Sequence, residues 1–278
     1  MAEKWNGIFR VGGFPILAVI LASCGGGGDG PGQCYSPTFA VCSAVGVGRS
    51  FPDAPLSAGL YKGISSDGRA VANLMLDDHS FYAVYSAPNS PSIVGGAFHG
   101  TVKTDGVAGT DGGTFTSTDA VGTSADVTGT QLASVSGTYR TKQTLNGTVK
   151  YPSLPLSIPF SANYDANFEL APDISTITGN YAGSYAMGTG AEKETLAVDG
   201  NGTISGSSAS GCTFSGTIQK GSSGRPNAVT ITYGGFPCRF AGATANGISY
   251  FDPTSKTLYA IGSIPGQSTE IVAIGIKQ

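Results

Sequence analysis

Phe160, Ala162, Tyr164, Ala166, Phe168 and Leu170 are apolar, and the residues between them, Ser161, Asn163, Asp165, Asn167 and Glu169, are polar. A period of two over eleven residues is the pattern of a strand with one face on a core and the other in water. Val229-Thr230-Ile231-Thr232-Tyr233 and Thr148-Val149-Lys150-Tyr151 alternate in the same way. Phe81 to Tyr85 and Ile271 to Ile276 are apolar on both faces and read as buried strands. No window of comparable length carries a helical stripe, so the chain is predicted to be all-β.

Asp67-Gly68, Asp105-Gly106, Asp111-Gly112, Asn146-Gly147, Asp199-Gly200, Asn201-Gly202 and Asn246-Gly247 read as hairpin turns, where Gly and Asn supply positive φ. The order they imply is an antiparallel meander. Residues 152–159 hold three prolines and are predicted as an edge or a crossover. Tyr61-Lys62-Gly63 is echoed by Tyr181-Ala182-Gly183, and Phe98-His99-Gly100-Thr101-Val102 by Phe214-Ser215-Gly216-Thr217-Ile218, at offsets of 120 and 116 residues. The echo predicts two tandem small barrels or sandwiches, residues 51–170 and 171–278, with one continuous β domain as the alternative.

The N-terminus is of another kind. Lys4 and Arg10 precede an apolar stretch of eight, Phe14 to Leu21, and then Leu21-Ala22-Ser23-Cys24. That is the layout of an export signal. The stretch is far short of the roughly 18 residues that span a hydrocarbon core. Leu-Ala-Ser-Cys resembles the lipobox of bacterial lipoproteins. The resemblance covers residues 1–24 and implies cleavage before Cys24, acylation of its thiol and anchoring by two or more acyl chains, where one chain alone would be marginal. A secreted protein with a coincidental cysteine is the alternative. Gly25-Gly26-Gly27-Gly28-Asp29-Gly30-Pro31-Gly32 then reads as a tether. On this reading residues 1–23 are a signal peptide, and 24–50 carry the lipidated cysteine, the tether and a small disulfide loop. Gly25 does not match the inner-membrane retention residue of enterobacterial lipoproteins, so the resemblance implies the outer membrane, on its periplasmic face or at the cell surface.

Removing the first 23 of the 278 residues leaves 255, with 13 basic and 17 acidic side chains. No basic stripe points to nucleic acid. Of five cysteines, lipidation of Cys24 leaves four that can pair completely in an oxidising compartment. Cys34 with Cys42 and Cys212 with Cys238 are the local pairs, and the two other connectivities stay open. A metal site is the rival. It would lack a C-x-x-C and could draw only on His79 and His99, so no cofactor or metal is expected.

The run from Tyr61 through Leu76-Asp77-Asp78 and Phe81-Tyr82-Ala83-Val84-Tyr85 to Phe98-His99-Gly100-Thr101-Val102 is similar to uncharacterised lipoproteins of proteobacteria, a family that implies no activity. The glycine-punctuated strands and the final Ile271-Val272-Ala273-Ile274-Gly275-Ile276-Lys277-Gln278 are similar to the C-terminal barrels of transferrin-binding and factor H-binding surface lipoproteins. That likeness carries no binding residue to this chain.

Chemistry has few candidates. There is no G-x-S-x-G. His79 follows Asp77 and Asp78, which could orient an imidazole, although Asp-Asp-His-Ser also makes an ordinary polar turn. His99 is replaced by Ser215 in the echo and reads as a surface side chain. Asp105-Gly106 and Gly109-Thr110-Asp111-Gly112-Gly113 resemble one calcium nonapeptide turn. A single copy offers too few oxygen ligands, so a hairpin loop is favoured. Asn146-Gly147-Thr148 and Asn201-Gly202-Thr203 match the glycosylation sequon but read as turns. A transmembrane barrel is the structural rival. Against it stand an ending in Ile-Lys-Gln without a terminal aromatic and a lipid anchor that would be redundant. The expected function is a non-enzymatic binding module whose partner beyond the membrane is a protein, a glycan or a small apolar ligand. A structural envelope protein is second and an envelope hydrolase third. A sizeable apolar pocket would favour binding, and a filled interior the structural role.

Overall fold

The computed structural model describes residues 58–107, 110–126, 130–152, 155–188, 190–267 and 270–278, all within one compact unit, 48–278. Cys24, Cys34, Cys42, the signal peptide and the tether lie outside the described residues.

Two closed antiparallel barrels follow one another. The first contains β1 (Gly59–Ser65), β2 (Ala70–Met75), β3 (Ser80–Ala87), β4 (Ser90–Thr101), β6 (Gly112–Ser124), β7 (Thr130–Arg140), β8 (Thr144–Tyr151) and β9 (Leu156–Tyr164). It closes where β1 meets β9 and β4 meets β6. The short β5 (Lys103–Gly106) hangs from β6 alone. The second barrel contains β10 (Gly179–Ala186), β11 (Ala191–Val198), β12 (Thr203–Ser208), β13 (Thr213–Gln219), β14 (Asn227–Tyr233), β15 (Thr244–Asp252), β16 (Thr257–Ser263) and β17 (Glu270–Lys277), closed by β10 against β17.

Alternation sorts side chains between the inside of each barrel and its surroundings. Tyr61, Phe81, Phe98, Phe115, Leu145 and Phe160 fill the first interior, and Tyr181, Ile204, Phe214, Ile218, Val229 and Phe251 the second. The outward residues of β12 and β13, Thr203, Ser205, Ser207, Thr213, Ser215 and Thr217, are exposed hydroxyls. A barrel facing lipid has the opposite arrangement, an apolar band outside and a polar interior. No helix among the described residues is long and apolar enough to cross a membrane.

The echo has a structural meaning. Tyr61 and Tyr181 lie on the first strand of their barrels, 0 % and 2 % exposed. Phe98 and Phe214 lie on the fourth. Gly63 and Gly183 occupy matching closure positions, opposite Ala162 and Gly275.

The strands that are apolar on both faces are those where the barrels meet. On β3, Phe81, Ala83 and Tyr85 point into the first barrel, and Val84 points out. On β17, Ile271 faces into the second barrel while Val272 and Ile274 face out. Val84, Val94, Ala97, Ala186, Ile261, Val272 and Ile274 form one buried cluster between the two. Within it the Val94 N–H donates to Ser184 Oγ at 2.7 Å. Beside it, Lys62 Nζ lies 2.9 Å from Asp165 and 2.6 Å from Asp252, with the two carboxylate side chains only 6 % and 3 % exposed.

Three expectations are corrected. The alternation from Phe160 continues past its strand, which ends at Tyr164. Asp165 caps a 3-10 turn (Ala166–Glu169) by accepting from the Asn167 N–H, which folds Phe168 onto Leu60, Ala72 and Leu74 and brings its ring 5.7 Å from Tyr250. Asn146-Gly147 and Asn246-Gly247 are mid-strand, not turns. A Cβ on Gly147 would lie 2.9 Å from Phe160 Cζ, and one on Gly247 2.1 Å from the Ile261 carbonyl oxygen, so these glycines allow close approach across the wall. Residues 152–159 are neither edge nor crossover: Tyr151 pairs with Leu156 across a hairpin, and Pro159 lies inside β9 opposite Thr148.

Candidate functional site

Each barrel interior holds a cavity, and the two differ. The first barrel opens at the end bearing the β1–β2 and β8–β9 hairpins into a cup of about 340 Å³. Its walls are Val71, Ala83, Phe98, Val149, Ile158 and Phe160, with Ser65, Arg69, Asn73, Tyr85, Ser124, Asp126, Gln131 and Tyr151 supplying polar groups. The volume is within the range of small-molecule sites. Arg69 is committed within this polar collar. Its Nε donates to Asp67 at 2.7 Å, one terminal nitrogen donates to Asp126 at 2.8 Å, and the guanidinium carbon lies 5.5 Å from the centre of the Tyr85 ring. Tyr85 is hydrogen-bonded to Ser124 and Tyr151. Burial, then the neighbouring Tyr85, raises the Tyr151 phenol well above its ordinary range. The collar is thus neutralised internally and offers hydroxyls and amides more than free charge, and Leu156, 46 % exposed, stands at its lip.

The second chamber measures about 80 Å³ and is lined mainly by aliphatic and aromatic side chains, among them Leu196, Ile204, Phe214, Ile231, Leu258 and Ile271. Glu194 and Ser249 also face it. Burial, with a smaller contribution from Glu192, pushes the Glu194 carboxyl up to about 8. At Glu192, burial also acts upward, but hydrogen bonds from the Tyr185 hydroxyl and from Ser210 outweigh it and hold the acid at about 2. Two carboxyls with such divided pKa values resemble the acid and base pair of a glycosidase. The chamber is about half the 150 Å³ of a cavity that admits benzene, so it has no room for a sugar ring.

The histidines belong to neither interior. His79 has φ 66° in the β2–β3 hairpin. Its neighbours are engaged elsewhere, Asp77 with Arg225 at 2.7 Å and Asp78 with the Ser80 hydroxyl at 2.6 Å. His99 is more than a surface side chain. Its ring stacks on Tyr82 with centroids 6.0 Å apart, and Nδ1 faces the Glu270 carboxylate of the second barrel. The contact with the Glu270 carboxylate, opposed by burial, raises the imidazole above its ordinary pKa. Ser215, its echo, is exposed on β13. The asymmetry follows from β4 packing on the second barrel.

Cys212 and Cys238 form a disulfide that joins the residue just before β13 to the loop after β14. Asp111 lies in the β5–β6 hairpin and accepts from Gln143 at 2.6 Å. No group of three potential metal ligands occurs among the described residues. Sequence reasoning singled out neither Arg69 nor Glu194. The signal for Glu194 was present, since it shares strand parity with Leu196 and Val198 and so must face inward with them. Arg69 follows a turn, where parity is silent. The chain matches no known protein family and no curated protein.

Proposed function

We propose that the chain is a non-enzymatic binding module, anchored through Cys24 to the outer membrane, whose ligand occupies the first barrel. The observation that carries this reading is the open cup of about 340 Å³. It combines an apolar floor with a collar of hydroxyls, amides and an internally paired Arg69, which suits a small, largely apolar, uncharged molecule with one or two polar groups. A structural role without a ligand fits the open cup less well.

The test uses a neutral apolar fluorophore, N-phenyl-1-naphthylamine, titrated into the purified protein. Saturable enhancement is expected in the wild type and its loss in Val71→Trp, which fills the cup from a half-buried wall position. Unsaturable enhancement, or equal binding by a folded Val71→Trp, overturns the reading. The anchor has its own test. Cys24→Ala should end lipid labelling and move the protein out of the membrane fraction, and unchanged partition sinks that part.

A further inference from the structure

The chamber of the second barrel contains an acid with an unpaired carboxyl oxygen. Glu194 is 7 % exposed, and its Oε1 has no hydrogen-bond partner among the described residues. Ser249, 2 % exposed, faces the same space with an Oγ that is likewise unpartnered. Buried polar groups in native proteins are seldom left in that state, and two of them around one void mark a place that something else completes.

We propose that the second barrel is a receptor for a small organic cation, a primary ammonium group on a short carbon chain, which pairs with Glu194 inside the chamber. The site lies apart from the cup of the first barrel and does not depend on it. The missing partner is identified by what the lining lacks. Lys193 alternates to the outside of β11 and is exposed. Arg239, in the loop after β14, donates to the Met187 carbonyl at 2.9 Å and lies over the Phe240 ring. The ionisable groups around Glu194 are Glu192, two residues along the same strand, with Tyr185 from β10 and Tyr233 from β14. None of them is a cation, and Glu192 accepts from the Tyr185 hydroxyl at 2.6 Å.

Size and wall chemistry narrow the class. About 80 Å³ holds a few heavy atoms, so a chain of two to four carbons is the limit. The aliphatic walls suit that chain, and Phe214 and Tyr233 place aromatic rings in the lining beside it. A bare metal ion would find one carboxyl and one hydroxyl where it needs several oxygen ligands.

Pairing has a proton balance that a neutral guest would lack. The free carboxyl is protonated at neutral pH, so the ammonium enters with its charge, the carboxyl ionises against it, and one proton leaves to solvent. Below about pH 8, affinity should therefore rise roughly tenfold per pH unit.

The experiment is isothermal titration of the purified full chain with n-propylammonium and with n-propanol at pH 6 and pH 7, each in two buffers of different ionisation enthalpy. Expected are binding of propylammonium with about one proton released, roughly tenfold tighter at pH 7, and propanol at least about tenfold weaker with no proton released. Glu194→Gln, which keeps the shape, should abolish the ammonium response. If that variant does not fold, carboxyl-carbon NMR of the wild type replaces it, and the Glu194 signal should move to its ionised position on adding propylammonium. No binding, binding without proton release, propanol binding as tightly, or an unmoved carboxyl signal overturns the proposal.

Discussion

Replacing Lys62 by Met would keep the aliphatic stem and remove one charge from the junction of the barrels. Lys62 Nζ stands 2.9 Å from Asp165 and 2.6 Å from Asp252, and its own side chain is 25 % exposed. Removing one partner of a buried pair costs about 3 to 5 kcal/mol, because the remaining charge is stranded. Here the loss should fall near the lower end, about 3 kcal/mol, since Asp165 keeps the Tyr250 hydroxyl and Asp252 keeps Ser255 and the Thr254 N–H. With a urea slope of about 2 to 3 kcal/mol per molar, the midpoint should drop by roughly 1 M at pH 7. The pH dependence separates charge from packing. At Asp252, burial acts upward but the bonds to Lys62 and Ser255 outweigh it, leaving the pKa below its ordinary 3.8. A depressed carboxylate contributes stability that is present above the unfolded pKa and lost as pH falls through the folded one. Without Lys62 the same burial disfavours ionisation, so acid relieves the variant while it weakens the wild type. Urea midpoints from pH 7 down to pH 3.5 should converge. A gap that stays constant across that range would refute the electrostatic account and assign the loss to the stem.

Four further outcomes follow from the same structure. Cys212→Ser with Cys238→Ser should cost about 3.5 kcal/mol through loop-closure entropy, given the sequence separation of 26, and non-reducing peptide mapping that finds both thiols free would refute the bond. His99→Ala should remove a stabilisation that is fully present below the unfolded imidazole pKa of about 6.5 and lost as pH rises through the raised folded value, so denaturation from pH 6 to pH 9 should show the gap closing at alkaline pH. Residues 171–278 made alone should fold cooperatively around their own core and disulfide but self-associate through the uncovered Ala186, Ile261, Val272 and Ile274, and a disordered fragment in circular dichroism would show that the barrels are not separable. Gly147→Val should destabilise by well over 1 kcal/mol, because the new branch meets the Phe160 and Phe115 rings, and an unchanged thermal midpoint would contradict the packing.

Much of the architecture was legible because strand parity is a local property. The alternation at Phe160, the doubly apolar runs at Phe81 and Ile271 and the paired Tyr and Phe motifs all reported features that the fold uses. What stayed hidden involved partners brought together from afar. Lys62, Asp165 and Asp252 are spread over 190 positions of chain, and nothing near any one of them announces the other two. The glycine dipeptides misled for a different reason, since the same residue serves a turn through its φ or a crowded wall through its missing Cβ. Of the candidate sites, the acid of the second barrel could have been found by extending parity from Leu196. The cup could not, because its volume depends on how far eight strands stand apart.

Closure has one further consequence. A ladder joined end to end offers a foreign strand nowhere to add. Only β5, which pairs on one side, keeps an unsatisfied ladder edge among the described strands. It is four residues long and carries Lys103 and Asp105, a length and charge that discourage recruitment of a second molecule. Replacing both charges with Val should raise edge-to-edge association, measured by light scattering of the purified variant against the wild type.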